Sequence, residues 1–310
     1  MIEHNEATCP PQARFSRIGW GLLLMVIAQQ GAGSVLLLAL QLLYPALMEN
    51  SWVLLSVNFL PLYLLGLPLL VYMLRSLPDL PAPEKTRIRG SHFALLALAS
   101  MTALYGLSTL SNWLGEWIGQ LKGGEVLNPL DLVVGDGSPW AVLLFVVLLA
   151  PLGEEFIFRG LLYKKLAGYG AKTYILCSAL LFALYHVNLY QVFYAFALGL
   201  VLAWLTYASG NIRASVALHL LVNLLGTGLP LLLSAFPEES RLPTILFYVI
   251  VGLLCAVGVL SAMILARRRG ELPMPFGTCA APAPKAVFGN AGMIVLLLTL
   301  GAMTAVMVLL

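Results

Sequence analysis

The stretch "WAVLLFVVLLAPLGEEFIFRGLLY", Trp140 to Tyr163, is apolar from end to end except for Glu154, Glu155 and Arg159. Its length suits a helix crossing the roughly 30 Å hydrocarbon layer of a bilayer. Apolar runs of similar length recur along the 310 residues, of which 60% are hydrophobic and 10% charged, with a mean hydropathy of +0.92. A soluble domain carries about 25% charged residues. The alternating pattern of a membrane barrel is absent. The sequence therefore predicts an all-α polytopic membrane protein, a helical bundle of about eight or nine transmembrane helices.

Nine runs qualify as spans: 18–44, 52–74, 92–114, 140–163, 173–189, 192–208, 214–235, 244–266 and 288–310. The fifth and sixth are short and joined by the tight hairpin "HVNLYQ". With the N-terminus in the cytoplasm, 15 of the 17 Lys and Arg residues fall on inside segments or the inner ends of spans, and only Lys122 and Arg241 fall outside. That asymmetry is a strong positive-inside bias. Acidic residues of the outer loop, among them Asp131 and Asp136, agree with it. The expected organisation is a cytoplasmic tail (1–17), N-terminal helices and loops (18–138), a catalytic membrane core (139–266), a Pro-rich cytoplasmic linker (267–287) and a C-terminal transmembrane anchor (288–310). No basic stripe interleaved with aromatics points to nucleic acid. The four cysteines show no CxxC spacing, so neither a disulfide framework nor a thiolate metal site is supported.

Ionisable residues inside a span are costly, about 2.5–3.5 kcal/mol each at a helix centre, and mark functional positions. The fourth span holds Glu154, Glu155 and Arg159; the fifth ends in "FALYH" with His186; the seventh contains "HLLVN" with His219 and Asn223. Four residues apart on a helix, Glu155 and Arg159 can form an ion pair. Glu154 lies about 100° away from Glu155 and has no such partner. Counted along the helices, Glu154, His186, His219 and Asn223 fall at matching depths near the midplane or in its cytoplasmic half. A lone intramembrane histidine is commonly a helix–helix hydrogen-bonding residue; four such groups at one depth are a candidate site. His4 and His92 read as bystanders.

At these residues the chain resembles the CPBP family, the CAAX protease and bacteriocin-processing (Abi) enzymes. The family's EExxxR is matched by "EEFIFR", Glu154 to Arg159; its FxxxH by "FALYH", Phe182 to His186; and its HxxxN or HxxxD by "HLLVN", His219 to Asn223. Three motifs in order, each in its own span, make the resemblance specific over roughly 140–235. It implies an intramembrane endopeptidase acting on a membrane-associated, lipidated or leader-bearing protein substrate, in a bacterial inner membrane. It also implies that Glu154 activates water, His186 and His219 help to bind it, and Asn223 supports the oxyanion. Glu155, Arg159 and Phe182 would shape the site.

Two questions stay open on the residues alone. A zinc ion, with His186, His219 and Glu154 as ligands, is an alternative to a metal-free glutamate mechanism, but HExxH is absent and a ligated Glu154 could not also be the base. The expectation is therefore no cofactor, with zinc as the alternative. Buried Glu and His also form proton relays, so a proton-coupled transporter is one rival, and a non-catalytic scaffold or bacteriocin immunity protein of the same fold is another.

Overall fold

The computed structural model describes residues 9–129, 138–234, 236 and 240–309. Residues 1–8 of the expected tail, with His4, and the outer-loop residues Asp131 and Asp136 lie outside them. No strand occurs among the described residues. Nine principal helices follow one another: α1 (Pro11–Leu43), α2 (Ser51–Leu74), α3 (Gly90–Lys122), α4 (Pro139–Tyr169), α5 (Ala171–Tyr185), α6 (Leu189–Ser209), α7 (Arg213–Leu233), α8 (Leu242–Arg267) and α9 (Ala291–Leu309). All but α5 are long and apolar enough to cross a membrane. The chain is an all-α, polytopic helical bundle. Helix α5, of 15 residues, rises only about 22 Å. The α5–α6 turn that follows it is buried at Val187 and Asn188.

Wide turns with i→i+5 hydrogen bonds interrupt α2 at Leu62–Gly66, α4 at Leu143–Leu149 and α7 at Leu224–Gly228. Each ends two residues before a proline, Pro68, Pro151 or Pro230. A helical proline removes a donor and clashes with the carbonyl four residues back. In all three helices that carbonyl (Leu64, Val147 or Gly226) falls within the widened turn, which gives the ring room. A fourth wide turn, Phe156–Leu161, has no proline. It follows directly on the paired glutamates and contains Arg159.

The largest apolar core gathers residues of α1, α2, α4, α5, α6 and α9. A second joins α3, α6 and α7. The ends of α2, α4 and α6 and the linker before α9 meet at one end of the bundle. There Leu80 N–H donates to Lys164 O (2.9 Å), Thr86 N–H to Ala208 O (2.8 Å) and Cys279 N–H to Gly168 O (2.8 Å). The fully buried Arg14 donates there to the carbonyls of Pro78 (2.8 Å) and Lys165 (3.3 Å). The last span, expected as an anchor, is packed into this core through Met293, Leu296 and Leu300. It also meets α1 glycine to glycine. A Cβ on Gly292 would run into the Ser16 carbonyl, and one on Gly19 into the Gly292 backbone.

Candidate active site

Glu154 is the sixteenth of the 31 residues of α4, and so sits at the middle of that helix. The adjacent Glu155 turns into the bundle and is fully buried. Its Oε1 accepts from Arg159 Nη1 at 3.1 Å, the ion pair expected from the four-residue spacing, and lies 3.0 Å from His219 Nδ1. The same imidazole places Nε2 3.6 Å from Glu154 Oε2. One histidine of α7 therefore stands between both glutamates of α4. Arg159 also donates from Nη2 to the Gly199 carbonyl of α6 at 3.1 Å. Both members of the ion pair are fully buried and tie α4 to two other helices.

These partners set the tautomer of both rings. An ionised carboxylate only accepts, so His219 Nδ1 carries a hydrogen toward Glu155. His186 Nδ1 is 2.8 Å from the Phe182 carbonyl, which likewise can only accept. In their neutral forms both histidines then turn an unprotonated Nε2 outward. Val187, next to His186, has φ +49, a left-handed conformation that is strained for a β-branched residue. This residue turns the chain so that α5 ends on His186 and α6 begins behind its cap, Asn188, whose Oδ1 accepts from Tyr190 N–H at 2.9 Å.

Phe182 is the common wall. Its ring lies 4.4 Å from the Arg159 guanidinium and meets the rings of His186 and His219 edge-on, with centroids at 4.9 and 5.5 Å. An aromatic face here covers a buried cation while its edges fix two imidazoles. Asn223 is bound differently. Its Nδ2 donates to the Val146 carbonyl at 3.0 Å. In the wide turn Ala150 N–H reaches Phe145 O, so Pro151 stands where the donor to Val146 O would come from. The Asn223 amide supplies that missing hydrogen bond and keeps one N–H in hand.

Glu154, His186, His219 and Asn223 line one cavity of about 140 Å³, walled also by Phe182, Gln191 and Tyr194. All four of the expected site residues meet there. Glu155 and Arg159 stand behind the wall. A second cavity of about 200 Å³ shares Glu154, His186 and Gln191 and adds Gln29, Gln30, Asn58 and Asn188. The open space therefore extends toward the α5–α6 turn and away from the expected cytoplasmic half, because α5 is too short to fill it. The sequence reading missed these amides. Their signal was present: Gln29, Gln30 and Asn58 are polar residues inside apolar spans, and "HVNLYQ" is too polar for a plain hairpin. His92 sits at the opposite end of the bundle, buried, with Nε2 3.7 Å from Glu271 Oε2.

Among the described residues no three His, Cys, Asp or Glu side chains are grouped as metal ligands. Glu154, His186 and His219 do not form such a group. What the cavity offers is a carboxylate, two imidazole acceptors and amide donors on one enclosed volume.

Residues 136–225 match the model of the Rce1-like, type II CAAX prenyl endopeptidase family. No curated protein and no solved structure matches the chain. The matched stretch runs from just before α4 into α7 and contains every residue of the three motifs. Eight long apolar helices make the chain an integral membrane protein by length and composition, and the family match indicates a protease of the CAAX type. Over residues 136–225 the chain thus carries an Rce1-like domain of the CAAX protease family, embedded in a membrane-spanning helical bundle.

Proposed function

We propose that the chain is an intramembrane endopeptidase in which Glu154 activates water for attack on a peptide bond of a membrane-associated protein substrate. The observation that carries this reading is the convergence of Glu154, His186, His219 and Asn223, from three helices, on one small cavity. A water held there would donate its hydrogens to Glu154 and to an imidazole Nε2, which leaves a lone pair for the carbonyl carbon. Glu154 takes the proton as the bond forms and passes it to the leaving amine. The spare N–H groups of Asn223 and Gln191 are the donors for the developing oxyanion. Glu155 is a positioning residue, since it holds His219 in one tautomer and is itself neutralised by Arg159. The mechanism is metal-free, so activity should persist in a strong chelator.

The test compares the detergent-purified protein with Glu154→Gln, alongside proteomics of membrane and secreted fractions from cells carrying each. The reading expects substrates that lose a segment only with Glu154 present. A transporter would lose flux in Glu154→Gln without any change in cleavage. A scaffold or immunity protein would keep its function in that variant.

A further inference from the structure

The start of α6 carries a row of polar side chains, Asn188, Gln191 and Tyr194, spaced three residues apart so that neighbours in the row share a face. The row is a hydrogen-bond chain whose direction is fixed from one end. A backbone N–H can only donate, so the bond from Tyr190 N–H to Asn188 Oδ1 (2.9 Å) sets the orientation of the Asn188 amide. Asn188 Nδ2 then donates to Asn128 Oδ1 at 3.1 Å and to Gln191 Oε1 at 3.0 Å. That leaves Gln191 Nε2 to donate to the Tyr194 hydroxyl at 2.8 Å. The Tyr194 oxygen is the acceptor in this bond, so its own hydrogen turns elsewhere. Among the described residues nothing accepts it. Each link polarises the next, which strengthens the last donor.

That hydrogen has a destination. Tyr194 lines the cavity of about 140 Å³ together with Glu154, His186, His219 and Asn223. Its ring packs against two of the apolar cores, so the ring is held while the O–H turns about the C–O bond. Its hydroxyl is close enough to Glu154 for the two to interact electrostatically. A carbonyl attacked in this cavity gathers negative charge on its oxygen. Among the described residues that line the two cavities, Glu154 is the only Asp, Glu, Lys or Arg. Arg159 is enclosed behind Glu155. The oxyanion therefore meets no Lys or Arg on these walls, and neutral donors aimed into the cavity must stabilise it. A phenol whose oxygen already accepts from Gln191 is such a donor, set in place before the reaction begins.

Resting on the protease reading above, we propose that Tyr194 is an oxyanion donor, oriented by the chain that runs from Asn188 through Gln191. As water attacks, Glu154 takes its proton and the carbonyl π pair moves onto oxygen. Tyr194 donates a hydrogen bond to that oxygen and keeps its proton. Asn188 is a positioning residue. The probe is a sequence-diverse peptide library that includes farnesylated CAAX members, incubated with the purified full-length protein and with Glu154→Gln, with cuts mapped by mass spectrometry. The kinetics are then measured on the fastest Glu154-dependent peptide. Tyr194→Phe should keep the melting temperature of the parent and its KM within about twofold, while kcat falls at least about 100-fold. Asn188→Asp keeps the cap but cannot donate. The Gln191 amide then flips, its Oε1 accepts from Tyr194, and the hydroxyl hydrogen turns away from the cavity. That variant should lose at least about tenfold in kcat at unchanged KM, with no further loss when added to Tyr194→Phe. A parental kcat in either variant, a loss carried by KM, or losses that multiply in the double variant would overturn the inference and leave the protease intact. If Tyr194→Phe does not fold, the kcat of Asn188→Asp decides alone. The absence of Glu154-dependent cuts would overturn the protease reading and the inference with it.

Discussion

His219 Nδ1 lies 3.0 Å from Glu155 Oε1, inside the bundle and out of the cavity. The contact divides two neighbouring carboxylates by role. Glu155 faces Arg159 and the back of the imidazole, and Glu154 faces its Nε2 and the open space.

That division predicts opposite behaviour for the two amide variants. Glu154→Gln should keep the melting temperature of the parent and lose at least about 100-fold in cleavage. Glu155→Gln strands a buried guanidinium, at a cost of about 3–5 kcal/mol, and frees His219 to rotate. It should therefore lose thermal stability and activity together. Melting temperature and peptide cleavage, measured on the same detergent preparations, decide it. An unfolded Glu154→Gln beside a folded, inactive Glu155→Gln would reverse the assignment.

Phe182 offers a subtler test. Its ring touches Arg159, His186 and His219 at once. Phe182→Leu keeps much of the volume but removes the aromatic face over the cation, an interaction of about 0.5–2 kcal/mol. The variant should fold with a modestly lower melting temperature and show a clear drop in kcat, since both imidazoles lose a wall. A kcat equal to that of the parent would mean that the ring serves packing alone.

Much of this site was legible in the sequence because charges in an apolar span advertise themselves. Glu154, Glu155 and Arg159 stand out in Trp140–Tyr163, and the spacing of four fixed their ion pair. The His219–Glu155 contact was not legible, since it depends on the rotation of α7 against α4, which no periodicity within either helix encodes. The role of Asn223 at Val146 was hidden for a related reason: it follows from the widened turn before Pro151. The second cavity escaped because glutamine and asparagine weigh little in a hydropathy reading. Nine spans could be counted from composition, but the early stop of α5 at His186 follows from the strained Val187 turn and the Asn188 cap.

The C-terminal span makes a separate prediction. Its glycine-to-glycine approach to α1 leaves no room for a side chain at Gly19 or Gly292. Gly292→Leu should force α9 away from α1 and lower the melting temperature of the whole protein, whereas Gly301→Leu, where the added Cβ meets open space, should not. Equal melting temperatures for the two variants would reduce α9 to a tether.

Topology can be checked without enzymology. Reporter fusions should place the N-terminus and Arg267–Arg269 in the cytoplasm and the C-terminus outside. A cytoplasmic C-terminus would take one crossing from the bundle.

The pairing of Asn223 with the Val146 carbonyl gives the most local prediction. The family's third motif tolerates Asn or Asp, but an aspartate here would set a carboxylate against a carbonyl oxygen that Pro151 leaves without a backbone donor. Leaving a buried acceptor unsatisfied costs about 1–3 kcal/mol, with more for the added charge. Asn223→Asp should therefore destabilise this chain. Pro151→Ala returns an N–H to the helix at the position that faces Val146 O, so the same substitution in that background should cost less. A double-mutant cycle on melting free energies reads the difference directly. Additive costs would show that Asn223 and Pro151 act independently, and the amide would then be judged by its place in the cavity alone.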